Sequence, residues 1–392
     1  MSSDLDTNRD VDFLLSPSET SSLLQSAIDG REAQVDGWRV SPLDKPPLVS
    51  STRGLWRVES LDGCSSLILK VLSNSNAGHE NWPTSNDPDD PMYWRRESLA
   101  YASKLLTSLA GGMRAPHCWA QTKRADGSIA LWLDDVKGTP GTAWPPTRYR
   151  LAARHLGQAQ GEFLAGRPLP RERWLSRGWL RAYLERRRAV IEAPIPKSVW
   201  SSRLVRQSID RSHEKWVRRA WAERDRILDR LGSIPQTLCH CDFWPENLFD
   251  ASCPDGSFTV AVDWAYVGIG ALGEDVGNLV PDSLLDFYVA YGREKQLLDL
   301  VHNGYIEGLR EAGWDGDERL ARFGLAASAS LKYTWMLSWL IRRATDEHVL
   351  TSLELKTGLQ IEDFYRYRGA VLELLRELDC EARRLTDELA LA

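Results

Sequence analysis

No stretch of this sequence is both long enough and apolar enough to cross a membrane. The nearest, YTWMLSWLI at Tyr333–Ile341, falls short of the roughly 18–20 residues a span needs. The opening residues, MSSDLDTNRDVDF, lack the basic region and apolar core of a secretory signal. Cysteine is scarce, and six in 392 residues do not make a disulfide scaffold. These absences lead us to expect a cytoplasmic protein with reduced thiols and no membrane partner. Positive charge is not in excess either. With 49 Lys and Arg against 55 Asp and Glu, the net charge of −6 argues against nucleic acid as a partner. There is no internal repeat and no long low-complexity segment, and the stretch SPLDKPPLVSSTRGLWRV has no G-x-G-x-x-G turn to cradle phosphates.

What is present is a large apolar fraction, 43%, enough for a sizeable core and two or more subdomains. Residues 1–37 read as a polar extension with one short helix, SPSETSSLLQSAI, capped by Ser16 with Pro17 in its first turn. Residues 38–133 read as short β-type runs (STRGLWRVES, SSLILKVL, SIALWL) around a single helix, PMYWRRESLAYASKLLTSL. A Gly/Pro connector, residues 134–146, follows. From 147 to 392 the pattern is mainly helical, interrupted by two short strands around 237–263, with helix again from about 281. β-rich first and helical later predicts an α+β fold with a small lobe, a larger lobe and a cleft between them.

The chemistry gathers in CHCDFWPENLF, Cys239–Phe249. Asp242 and Asn247 stand five apart in a loop, and a hairpin reading NLFDASCPDGSFTVAVDW follows. Alternation in its second strand sets Phe258, Val260 and Val262 on one face. Thr259, Ala261 and Asp263 fall on the other, read as a small open side that a cation could reach. An Asp, an Asn and a returning Asp suit phosphoryl transfer. The first accepts a hydroxyl proton, and the other two hold Mg²⁺ on nucleotide phosphates. Both loop residues also favour ordinary turns, so the pair alone would say little. The histidine and cysteines raise a zinc alternative. However, Cys-x-Cys is tighter than the usual C-x₂₋₄-C spacing, and extended backbone would turn His240 away from Cys239 and Cys241.

At these residues the sequence resembles the aminoglycoside phosphotransferase-like family, a branch of the protein-kinase-like fold. The motif H-x-D-x-x-x-x-N followed by a hairpin and I/V-D is met by His240, Asp242, Asn247 and Val262–Asp263. GEDVGNLV, Gly273–Val280, is similar to the family's downstream acidic segment. The resemblance implies that Asp275 buttresses the loop and that His240 orients it. It further implies a nucleotide-binding lysine and its acid partner in the first lobe, assigned to Lys70 in SSLILKVL and to Glu97. The plainer readings are a snorkelling edge-strand lysine and a solvated acid paired with Arg95 or Arg96. The connector around Leu133 and Asp135 would meet an adenine edge. A Ser/Gly turn at Ser50, Ser51, Thr52 and Gly54 would cover the phosphates. Cys241 departs from the family, where Gly is commoner.

The expectation is therefore an ATP-dependent phosphotransferase, with GTP as the alternative donor and Mg²⁺ as cofactor. Its acceptor would be a small-molecule hydroxyl on an aminoglycoside or other antibiotic, a sugar or an amino alcohol. Candidate acceptor-site residues are Trp244, Trp264, Tyr266, Trp335, Trp339, Asp346 and Glu347, although Trp335 and Trp339 at i and i+4 also suit a core stripe. The chain would act as a monomer or homodimer. A protein kinase is disfavoured because DWAYVGIGALGED is short and lacks A-P-E. A catalytically weak or dead nucleotide-binding scaffold is the rival outside the enzyme class.

Overall fold

The computed structural model describes residues 38–43, 51–74, 83–253 and 256–390. The expected helix after Ser16, and Ser50, lie outside them. The described residues form two compact units. One holds those up to Ser108 together with Ala115–Lys137, and the other holds Leu109–Arg114 and those from Gly138 on. The second unit thus reclaims six residues from inside the segment that the sequence assigned to the first lobe.

The first unit is an antiparallel sheet with one helix. In chain order it contains β1 (Trp38–Pro42), β2 (Thr52–Ser60), β3 (Ser66–Leu72) and α1 (Arg96–Ala102). After β4 (Met113–Arg114), which belongs to the second unit, come β5 (Cys118–Lys123) and β6 (Ile129–Asp134). The strand order is β1-β2-β3-β6-β5, which puts β3 in the middle. Its period-two alternation sends Leu67, Leu69 and Val71 to one face, where they pack with Val58, Ala130 and Trp132. Lys70 therefore falls on the opposite face with Ile68 and Leu72, beside Leu131, Leu133 and Trp94. α1 is shorter than the helix expected from Pro91 to Leu109. Ser103 ends it: its hydroxyl donates to Ala100 O and accepts from Leu105 N, competing with the helical ladder.

The second unit begins with β7 (Thr139–Pro140), α2 (Pro146–Leu164), β8 (Ser176–Arg177) and α3 (Trp179–Glu192). Three short helices follow: α4 (Arg203–Ser208), α5 (Ser212–Ala222) and α6 (Arg224–Ser233). Then come β9 (Gln236–Cys239), β10 (Leu248–Cys253), β11 (Gly256–Ala261) and β12 (Gly268–Ala271). The rest is helical: α7 (Glu274–Leu285), α8 (Glu294–Glu311), α9 (Glu318–Lys332), α10 (Trp335–Arg343), α11 (Glu347–Thr357) and α12 (Ile361–Ala390).

Where two strands were expected there are four. β12 reads GIGA, with Ile269 its one β-favouring side chain, and is held in place by antiparallel pairing to β9 from Gly268↔Cys239 to Ala271↔Gln236. Helix also returns earlier than position 281, at Glu274. Gly277 and Pro281 mask this helix in the sequence. The expected hairpin forms, with β10 and β11 registered from Leu248↔Ala261 to Cys253↔Gly256.

α2 lies unusually close to α8. A Cβ on Gly157 would sit 2.3 Å from Tyr305 O, and one on Gly308 would sit 1.9 Å from Arg154 O. Only glycine permits this approach. Among the described residues, no helix is long and apolar enough to cross a membrane.

Candidate active site

β9 runs into the catalytic-type loop, and three hydrogen bonds fix the exit. Asp275, at the start of α7, accepts the backbone N–H of His240 at 2.9 Å and that of Cys241 at 2.8 Å. Its carboxylate also takes Gln160 Nε2 of α2 at 2.9 Å. Asp275 thus buttresses the loop as the resemblance implied. Burial pushes its carboxyl up to about 6, against the pull of those donors. Cys241 has φ +65 and Asp263 φ +60, both in the left-handed region that favours glycine. The backbone at 241 explains why glycine suits this position.

His240 links the loop to the returning strand. Its Nδ1 accepts Asp242 N–H at 3.3 Å and its Nε2 faces Val262 O at 2.9 Å. With Nδ1 accepting, Nε2 carries the proton, which sets the neutral tautomer. Val262 N in turn donates to Asn247 O at 2.9 Å. The backbone of Val262 therefore joins the segments carrying Asp242, Asn247 and Asp263. Asn247 Nδ2 donates to Asp242 Oδ2 at 3.0 Å and to Asp242 O at 3.0 Å. Burial raises the Asp242 carboxyl to about 7, with Asp263 and Asp282 adding to the rise while Lys332 and Asn247 oppose it.

Two sequence arguments need correction. Strand alternation does not aim Asp263, because β11 ends at Ala261 and Asp263 takes a left-handed backbone. The face read as open is closed. Thr259 and Ala261 are fully buried, and the Thr259 hydroxyl meets Arg148 at 3.0 Å and His155 Nδ1 at 2.9 Å.

In the first unit, Lys70 Nζ lies 2.7 Å from Glu97 Oε2, with both side chains buried. The edge-strand reading fails because β3 is central. The arginines beside Glu97 are engaged elsewhere: Arg96 donates to Pro91 O and Asp90 O, and Arg95 stacks on Trp94. Leu133 is inside β6, paired with Ile68 on one side and Cys118 on the other. Asp135 forms ion pairs with Lys137 and Arg57 and accepts a hydrogen bond from the Ser66 hydroxyl. Burial pushes its carboxyl up, but these donors outweigh that and hold it below the usual range. Ser51 O accepts Ser73 N–H, and Gly54 lies under the Trp56 ring.

Several residues proposed for the acceptor site prove structural. Trp264 is buried and stacks on His240 at 4.5 Å. Tyr266 is buried against Trp179 at 4.1 Å. Asp346 caps α11 by accepting Val349 N–H, and Glu347 is exposed in the same first turn. Trp335 and Trp339 are half-buried rather than core, edge to face at 6.4 Å, with Arg187 and Arg343 over their rings. Trp244 is also half-buried, and its indole N–H has no hydrogen-bond partner among the described residues.

Sequence reasoning missed Lys332, Asp282, Asp286 and Arg368, which gather in the second unit. Lys332 ends α9, buried, with Nζ 3.7 Å from Asp282 Oδ2. The available signal was a lysine inside the small and apolar run AASASLKYTWML. Cys239 and Cys241 are buried thiols whose Sγ atoms face the carbonyls of Ala271 and Cys239, at 3.9 Å in each case. Among the described residues, no group of three or more His, Cys, Asp or Glu could hold a metal ion.

A loop Asp locked to an Asn, an acidic return segment and a buried Lys–Glu pair define a phosphotransferase of the protein-kinase-like class. The profile of the phosphotransferase enzyme family, APH, matches residues 60–316, well over half of the sequence. The chain belongs to that family and is a small-molecule phosphotransferase. Three solved structures share the fold. Choline kinase from Cryptosporidium parvum Iowa II matches at 11% identity and TM-score 0.52, covering 93% of this chain and 95% of that one. A microcompartment-associated aminopropanol kinase matches at 16% and 0.51, covering 93% and 99%. Amicoumacin kinase hAmiN, solved with AMP-PNP, Ca²⁺ and Ami, matches at 13% and 0.50, covering 93% and 96%. Among curated proteins, no significant sequence match was found.

Proposed function

We propose that this enzyme transfers the γ-phosphoryl group of ATP to a hydroxyl of a small molecule, with Asp242 as the base. The observation that carries this reading is the double hold of Asn247 on Asp242. Asn247 Nδ2 occupies Asp242 Oδ2 and the Asp242 carbonyl, which leaves Oδ1 to accept the proton of an incoming hydroxyl. A carboxyl near 7 is matched to that task at neutral pH. Asp275 and His240 position the loop and do not touch substrate.

Asn247 Oδ1 and Asp263 offer hard oxygen donors that fit Mg²⁺. With no cluster of three acids among the described residues, the remaining ligands would come from nucleotide phosphates and water. When bound, the cation offsets charge on the transferred group. Lys70, braced by Glu97, would hold the phosphates in the first unit, which we assign to nucleotide binding. Beyond β6, the backbone of Asp135 and Val136 makes no hydrogen bond among the described residues, which suits an adenine edge. Ser51 would cover the phosphates.

Asp242→Asn should lower kcat by about 10²–10⁴-fold while calorimetry shows unchanged nucleotide binding. Full activity in that variant would rule out the assigned base. EDTA should abolish turnover and Mg²⁺ should restore it, with ATP and GTP compared in the same assay. Tight nucleotide binding without turnover on any acceptor would favour a scaffold instead.

A further inference from the structure

Four elements of the second unit converge on Asp282. α7 carries Asp282, and Asp286 follows its last residue, Leu285. α9 ends on Lys332, α12 brings Arg368, and the loop of Asp242 contributes Glu246. The Lys332 side chain is only 9% exposed, yet its nearest carboxylate oxygen, on Asp282, is 3.7 Å away, too far for a full hydrogen bond. The rings of Tyr183 and Tyr333 lie 5.6 and 5.3 Å from Nζ. An ammonium brings three donors, and among the described residues this one fills none of them well.

Arg368 is in a similar state. Its guanidinium packs against Phe287 and Phe364, 5.0 and 5.1 Å from the ring centres. Its Nε is buried with no hydrogen-bond partner among the described residues. Burial pulls it down to about 10, opposed by Asp286 and Asp282 through space. Phe287 holds φ +62, a backbone that a bulky side chain adopts only against strain. That conformation, directly after α7, lets the ring pair with Phe364 at 5.5 Å and Tyr367 at 5.6 Å and form the shelf under Arg368. The wall beside the base thus holds a buried lysine and a half-buried arginine whose Nε is enclosed, both with unfilled donors among the described residues and set among carboxylates.

We propose that Arg368 and Lys332 bind a carboxylate of the acceptor, so that the substrate is a zwitterionic hydroxyl compound rather than a polycation. The inference rests on Asp242 being the base of a small-molecule kinase. A planar guanidinium matches a carboxylate with two parallel bonds, and an ammonium adds a third donor. Asp282 and Asp286 suit the ammonium of the same molecule. A polycationic acceptor would meet Lys332 and Arg368 as like charges.

The test compares acceptors that differ only in the carboxylate: serine with ethanolamine, and threonine with 1-amino-2-propanol. Affinity is read by calorimetry on the enzyme loaded with a non-hydrolysable ATP analogue, and turnover by ADP release. In at least one pair, the carboxylate member should bind tenfold or more tightly. Arg368→Met should erase that ratio with nucleotide affinity unchanged, and Arg368→Lys should restore part of it. Lys332→Met provides a second variant if the first does not fold. If no carboxylate member binds more tightly than its partner, or if the ratio survives both Met variants, the proposal is wrong. Its failure is separable from that of the kinase reading. ADP release with the amine partners alone would leave Asp242 in its role, whereas a carboxylate preference without any ADP release would remove the base and keep the site.

Discussion

Lys70 and Lys332 are both buried lysines set in apolar segments, one in each unit. Their surroundings differ in one respect. Lys70 meets its carboxylate at 2.7 Å, with Glu97 buried beside it. Lys332 meets Asp282 only at 3.7 Å, and that carboxylate is 17% exposed. A buried charge that is paired at contact distance is a finished joint, and removing either half leaves the other stranded. A buried charge with a distant partner has spare donors, and water can reach the partner. The first arrangement suits a residue braced before the ligand arrives. The second suits a residue whose last partner is the ligand.

The sharpest way to break this contrast is Lys70→Met. It should cost about 3–5 kcal/mol, because it strands Glu97 without water. Urea denaturation would measure this, and nucleotide binding should fall with it. Adding Glu97→Leu should return stability to within about 1 kcal/mol of the parent, since an apolar pair replaces an ionic one, while nucleotide binding stays lost. Lys332→Met should cost less, about 1 kcal/mol, because Asp282 can hydrate. Equal losses at the two lysines would erase the distinction.

Cys241→Gly should matter least. Relief of the left-handed backbone is worth about 1–2 kcal/mol, against about 0.4–1 kcal/mol for the freer unfolded chain and about 0.8 kcal/mol for each buried group lost. The terms nearly cancel, so thermal denaturation should detect little change. A large loss would give the thiol a part in holding Asp242.

The loop motif was legible because its residues sit at fixed offsets on one local structure: Asp242, Asn247 and Asp263 just past the hairpin. Lys70 and Glu97 were legible through the same family pattern, and strand parity supplies the reason that they meet. Lys332 carried the same sequence signal as Lys70 and was not read. Its partners Asp282 and Arg368 lie at no fixed spacing, and only the packing of α7, α9 and α12 assembles them. Asp346 was misread for the opposite reason: an acid before a helix is most simply its cap, and the structure makes it one. Asp263 shows the limit of alternation, which stops applying where the backbone turns left-handed. β12 had no signal of its own, because its neighbours make it a strand.

The glycine contact between α2 and α8 has a consequence for how this molecule would open. Backbones that approach this closely leave no room for solvent to enter between them. The amides of the two helices should therefore exchange hydrogen with water only when the whole unit unfolds. Gln160 hangs from α2 and steadies Asp275. The loop thus keeps the time of this seam, and local breathing in the second unit should be sought away from it.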